Sequence, residues 1–226
     1  MRTGMNAALA ILKKDLTLEL RTREGFLSNL FFSLLVLILF NFGFEPGSAV
    51  IVEAKPAIFW IAVVFASALT LSRTFQRESA EKAIHALALV PLDPAWIFLG
   101  KFLTNFCVIV LLMSFTLPPF IIFFDVALTW RLWLLAAVCP LAAAGMAAVG
   151  TLFGAMAENA RLRELVISIL LYPIIVPLLI ASVQLMRQAL KLTGGIENWR
   201  WLGMMAVFDL IFFSAALVMF DYVLGE

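Results

Sequence analysis

Long apolar runs separated by short polar intervals dominate the chain. Six of them fit within 226 residues: Phe26–Phe44, Pro56–Ser72, Pro94–Phe124, Leu132–Ala155, Leu165–Met186 and Trp199–Leu224. The hydrocarbon core of a bilayer is about 30 Å thick and takes about 20 apolar helical residues to cross. A helix is the form in which a single segment hides its own backbone N–H and C=O groups from lipid. Each run meets or nearly meets that length. The pattern predicts an all-α integral membrane protein with six transmembrane helices, organised as one domain over residues 1–226.

Two polar intervals carry a different periodicity. In Met5–Arg23, Leu9, Leu12, Leu16 and Leu20 recur every three or four residues, with Lys13, Lys14, Asp15 and Glu19 between them. This predicts an amphipathic helix within residues 1–24, lying flat on a membrane surface with its basic side toward lipid phosphates, either as a generic anchor or with a specific role in docking a partner. In Arg73–Asp93, Ala80, Ala83, Ile84, Leu87 and Ala88 share one helical face, while Glu78, Glu81, Lys82 and His85 lie elsewhere. Pro91 ends that helix. Asp93 then caps the third span, with Pro94 at its first helical position. The helix is too short to cross a bilayer, so its apolar face needs the membrane surface or another protein.

Composition agrees with a membrane class: 64% of residues are hydrophobic and 14% are charged. No soluble domain hides that much apolar surface. The first run continues into Glu45-Pro46-Gly47 without a small-residue cleavage site and reads as a retained span. Charge sets the orientation. Arg2, Lys13, Lys14, Arg21, Arg23, Arg73, Arg77, Lys82, Lys101, Arg161 and Arg163 fall on one side of an alternating topology. Lys55, Arg131, Arg187, Lys191 and Arg200 fall on the other, a split of 11 to 5 among the 16 basic residues. Lys and Arg near span ends favour the cytoplasm, so both termini are expected inside. Trp60, Trp130, Trp133, Trp199 and Trp201 then lie near the outer interface and Trp96 near the inner one, as an aromatic belt.

Four stretches carry a family resemblance. They are Lys14-Asp15-Leu16-Thr17-Leu18-Glu19-Leu20-Arg21, Arg77 through Leu92, Ile97-Phe98-Leu99-Gly100-Lys101, and Ala148-Val149-Gly150-Thr151-Leu152-Phe153. The second resembles the coupling-helix loop of six-span ABC permeases of the ABC-2 exporter type. The whole chain resembles CcmB, the haem exporter protein B family of cytochrome c biogenesis. The family's loop carries a Gly where this chain has Ala80-Glu81-Lys82.

The resemblance implies a permease subunit in the bacterial inner membrane. It implies a homodimer that carries two CcmA-like ATP-binding subunits, which bind ATP in place of this chain. CcmC- and CcmD-like membrane proteins would handle haem, and a CcmE-like haem chaperone would receive it. Haem is then a possible cargo of the complex. Arg77, Glu78, Glu81, Ile84, Leu87, Pro91 and Leu92 become the candidate contacts to the ATP-binding subunit.

Ionisable groups inside spans default to a functional hypothesis. Asp209 lies about ten residues into the sixth run. It could touch a cargo, a partner or a proton path, or be a carboxyl bonded to a neighbouring helix. Asn41 and Gln184 read as interhelical hydrogen-bonding groups. Gly150 and Gly154 form a GxxxG pair in a run dense in small residues, suited to close helix packing within the chain or across a dimer seam. Pro118-Pro119, Pro173 and Pro177 are expected to kink their helices or end them in a re-entrant turn. Cys107 and Cys139 read as small core residues. His85 has no second His and no Cys or Met constellation beside it, so it reads as a surface residue rather than a haem ligand.

The chain has no Gly-x-x-x-x-Gly-Lys-Ser/Thr loop, no Ser/His/Asp set, no His-Glu-x-x-His and no nucleic-acid signature. Catalysis by this chain alone, a resident metal and a nucleic-acid partner are all unsupported. Two other readings stay open. An ABC-2 permease for a lipid, glycan or drug would keep the coupling helix but line a cavity with polar or aromatic groups. A membrane scaffold or enzyme without an ATPase would need clustered catalytic residues at one membrane face.

Overall fold

The computed structural model describes residues 2–45, 47–80, 93–156, 163–190 and 199–225. Seven α-helices make up these residues: α1 (Arg2–Thr22), α2 (Glu24–Gly43), α3 (Ala49–Ala80), α4 (Pro94–Phe123), α5 (Leu135–Met156), α6 (Arg163–Leu190) and α7 (Arg200–Gly225). A short 3-10 helix, Trp130–Leu134, leads into α5. Six stretches are long and apolar enough to cross a membrane: Glu24–Gly43, Ala49–Leu71, Pro94–Phe123, Trp130–Met156, Leu171–Leu190 and Arg200–Phe220. The six-span expectation holds, with α1 as the additional helix.

α5 is the central post. It packs against α3, α4, α6 and α7. Its small residues make this possible: Ala142, Ala143, Gly145, Ala147, Ala148, Gly150, Gly154 and Ala155 are all buried. Lipid tails are as apolar as leucine, so association in a bilayer rests on close van der Waals contact, and small side chains let backbones approach. α2 and α7 lie further out and present large side chains such as Phe31, Leu39, Phe42, Leu210 and Val218.

Several boundaries differ from those read in the sequence. α3 begins at Ala49, seven residues before Pro56. Ser48 explains the early start: its Oγ accepts from Ile51 N at 3.4 Å, and its carbonyl accepts from Val52 N at 3.1 Å. Gly47, at φ 78, makes the turn that precedes it. The shift carries Trp60 eleven residues into the helix, and its indole is 1% exposed in the core. Trp60 is therefore not an interface residue, whereas Trp130, Trp133 and Trp199 are exposed. α4 continues through Pro118 and Pro119, and α6 through Pro173 and Pro177. Neither proline pair ends its helix in a re-entrant turn. A short 3-10 segment precedes α5 at Trp130–Leu134. The capping expectation at the third span holds: Asp93 accepts from Ala95 N at 2.9 Å, with Pro94 in the first turn.

Register explains where α1 sits. On α2, Phe26 meets Phe115, Ser33 Oγ lies 3.0 Å from Thr116 Oγ1, and the Asn41 amide donates to the Phe123 carbonyl. α2 thus pairs with the second half of α4. The first turns of α4 overhang the start of α2, and α1 packs there. At 1.5 Å per residue, α4 is about 45 Å long, well beyond the thickness of a hydrocarbon core.

Candidate functional site

The α1 end of the bundle gathers most of the chemistry. One stripe of α1, made of Gly4, Ala8, Ile11 and Asp15, faces α4. A Cβ on Gly4 would run into the Trp96 indole. A Cβ on Gly100 would lie 2.9 Å from Ile11 Cβ and 3.0 Å from the Ala8 carbonyl. Lys101 Nζ donates to Asp15 Oδ2 at 2.7 Å, with side-chain exposures of 2% and 11%. Lys14 approaches the other carboxylate oxygen at 3.0 Å. A buried lysine is tolerated only with a partner of this kind.

The leucine stripe read from the sequence is rotated away from this contact. Leu9 is 52% exposed, and Leu12 and Leu16 are half-buried. Sequence reasoning missed the Asp15–Lys101 pair and counted Lys101 as a charge between spans. The available signal was a lone Lys seven residues inside an apolar run.

Beneath α1 an apolar cluster joins Ile11, Ile97, Phe98, Leu152, Ala155, Ala216 and Phe220. Phe98 sits 5.6 Å from Phe213 and 5.5 Å from Phe220 between ring centroids, tying α4 to α7. Three of the four stretches that carry the family resemblance therefore meet: Lys14–Arg21 and Ile97–Lys101 across the ion pair, and Ala148–Phe153 through Leu152, while Thr151 of the same stretch bonds α4 one turn further on. Asn105 Nδ2 donates to Thr151 Oγ1 at 2.9 Å.

The fourth stretch begins on α3, which runs nine residues past the end of its membrane span at Leu71. That extension projects the chain about 13 Å further. The backbones of Arg77 and Glu78 belong to it. Glu81, Ile84, His85, Leu87, Pro91 and Leu92 lie outside the described residues. The expected separate short helix over 73–93 is thus, up to Ala80, a continuation of span two.

Polar groups inside the spans mostly pair between helices. Asn29 Nδ2 donates to Thr70 Oγ1 at 2.7 Å, and Ser33 pairs with Thr116. Asp209 differs. It packs on Gly145 of α5, where a Cβ would lie 2.5 Å from its Oδ1. Among the described residues neither of its carboxylate oxygens has a hydrogen-bond partner. Gly150 abuts Leu71 of α3, and Gly154 is buried on the same helix. Cys107 and Cys139 are free thiols of intermediate burial. Cys139 lines a cavity of about 280 Å³ between α4 and α5, which is apolar apart from Ser114. Among the described residues, no three His, Cys, Asp or Glu side chains converge as metal ligands do.

A six-span helical membrane protein, with an extra amino-terminal helix docked on span three and span two prolonged past its membrane segment, is the class these features define. The family model described as CcmB protein matches residues 6–222, and the chain belongs to that family. Curated relatives carry the name heme exporter protein B. The Rhodobacter capsulatus protein is 26% identical over 179 residues, covering 79% of this chain and 82% of its own. The Paracoccus denitrificans protein is 27% identical over the same shares. The Bradyrhizobium diazoefficiens protein is 31% identical over 93 residues, 40% of this chain and 42% of its own.

Proposed function

We propose that this chain is the membrane-embedded permease subunit of an ABC complex in cytochrome c biogenesis. It couples ATP hydrolysis in a separate CcmA-like subunit to haem delivery or to release of a haem-loaded, CcmE-like chaperone. CcmC- and CcmD-like membrane proteins are the other partners, and a pair of these chains forms the core. The observation that carries the reading is the family match from residue 6 to 222, which includes segment 73–93. The extension of α3 to Ala80 supports it, because it leads that segment away from the membrane span. In this reading the α1 end faces the cytoplasm of a cell with an inner membrane, as the 11-to-5 basic split favours.

Ile84 and Leu87 bury against the ATP-binding subunit, and Glu78 and Glu81 face basic groups on it. Arg77, Pro91 and Leu92 bound the contact. The chain itself supplies no phosphate-cradling loop, so it acts mechanically. Replacing Leu87 by Asp places an unpaired charge in a packed contact, at a cost on the order of several kcal/mol. Leu87→Asp should insert normally but lose co-purification with the ATP-binding subunit and cytochrome c maturation. Normal yield of the complex with normal maturation would refute the assignment.

A further inference from the structure

α1 is tied to its chain neighbour and to α4 in very different ways. Arg23 alone separates it from α2, in the left-handed region at φ 50. Its N–H reaches Glu19 O at 3.1 Å and its carbonyl accepts from Leu27 N at 2.8 Å, so both helices run up to a one-residue joint. α1 makes only slight contact with α2 beyond that joint but packs extensively on α4. Three keys hold it there: Trp96 over Gly4, Gly100 under Ile11, and Lys101 on Asp15.

The outermost keys lie eleven residues apart on α1 but only five apart on α4. Along the helix axes that is about 16 Å against about 7 Å. Long Trp and Lys side chains make up the difference, reaching to opposite ends of the stripe. Sliding α1 one turn toward its own C-terminus would put Ile11 where Asp15 meets Lys101, whose side chain is 2% exposed; sliding it the other way would put Ala8 under Trp96, where a Cβ has no room. An uncompensated buried charge is among the costliest states a contact can adopt.

We infer that Asp15 and Lys101 are a positioning pair that makes α1 and the first turns of α4 one rigid body through the ATP-driven cycle, with Arg23 as its pivot on α2. The inference rests on the function proposed above, since it is ATP binding that drives the motion. α4 starts where segment 73–93 ends, so a displacement delivered there moves α4 directly. α1 then follows α4 and not α2, to which it is covalently joined. The exposed Leu9 and Leu18 are carried across the membrane surface with it.

The test uses the assembled complex with its ATP-binding subunit. Spin labels on the exposed positions Leu9 of α1 and Ser114 of α4 form one pair, and labels on Leu9 and Leu39 of α2 form the other. Distances are measured nucleotide-free and with ATP trapped by a non-hydrolysing variant of the ATP-binding subunit. The first distance should stay constant and the second should change. A change in the first, or constancy of the second, overturns the inference. Lys101→Met should broaden the first distance distribution and cut maturation at least tenfold while ATP turnover by the complex persists. Lys101→Arg should restore both. Lys101→Met with a wild-type distribution also overturns it. Failure of any ATP-binding subunit to join the complex would sink the proposed function instead, and is read by co-purification before any distance is measured.

Discussion

Substitution of Gly145 by Ala tests a tight contact of α5 with α6 and α7. The new Cβ would lie 2.5 Å from Asp209 Oδ1, 2.7 Å from Leu178 Cδ2 and 3.2 Å from Phe208 Cδ1. Relaxing the two shortest contacts to an ordinary separation near 3.4 Å needs displacements of about 0.9 Å and about 0.7 Å. Both atoms are side-chain ends and can rotate, but they sit in a packed interface. Overpacking of this kind costs about 1–3 kcal/mol. Against it stands the helical preference for Ala over Gly, worth about 1 kcal/mol. The net expectation is a loss of about 1 kcal/mol, within a range of about 0–2 kcal/mol.

Gly203 supplies the control. Nothing lies within 4 Å of a Cβ built on it, so Gly203→Ala keeps the propensity gain without the clash. Thermal denaturation in detergent, followed by the surviving monodisperse fraction on size exclusion, reads both. At about 2–4 °C per kcal/mol for a chain this size, Gly145→Ala should fall a few degrees below wild type and Gly203→Ala should equal or exceed it. In an Asp209→Ala background the Gly145→Ala penalty should shrink by about 1 kcal/mol, because one of its two severe contacts is gone. Equal midpoints for the two glycine variants, or an unchanged penalty without Asp209, would refute the geometry.

Other outcomes follow from single contacts. Asn105→Ala removes the donor to Thr151 between α4 and α5 and should cost about 0.6–1.7 kcal/mol, with Thr151→Val nearly without further effect in that background. Asp93→Ala removes the cap on the Ala95 N–H and should cost about 1 kcal/mol by the same denaturation assay, whereas Asp93→Asn should be close to neutral. A cysteine at residue 80 should react with an impermeant maleimide in inverted vesicles but not in intact cells. Labelling in intact cells would reverse the proposed orientation.

The six spans were legible because their signal is redundant: twenty apolar residues in a row survive any local misreading. The Asp93-Pro94 start was legible for a different reason, since capping is decided by adjacent residues. The apolar run read as span two began at Pro56, after Glu53 and Lys55 interrupt the apolar pattern, whereas the helix begins at Ala49. Pro56 lies in the second turn of that helix, which Ser48 caps, and Trp60 is buried further along it. Of the two outcomes expected at Pro118-Pro119, a kink or a re-entrant turn, the turn is not made: the helix runs through them to Phe123. Within membranes, neighbouring helices and local adjustments re-satisfy the carbonyls that a proline frees.

The helix read over Met5–Arg23 is present as α1, but its contact with α4 was not read from the sequence, for a reason that reaches beyond this helix. In water, apolar periodicity marks the face that packs against protein. Next to lipid, a large apolar side chain is equally at home facing the bilayer, so the stripe Leu9, Leu12, Leu16 and Leu20 does not identify the contact. What identifies it is smallness and charge. Gly4 and Ala8 allow close approach to Trp96 and Gly100, and Asp15 meets the single lysine of an apolar run 86 residues away. The same rule picks out α5, whose glycines and alanines, rather than its larger side chains, face Leu71 and Asp209. In this fold, glycines, alanines and isolated charges mark contacts between helices that leucine periodicity does not.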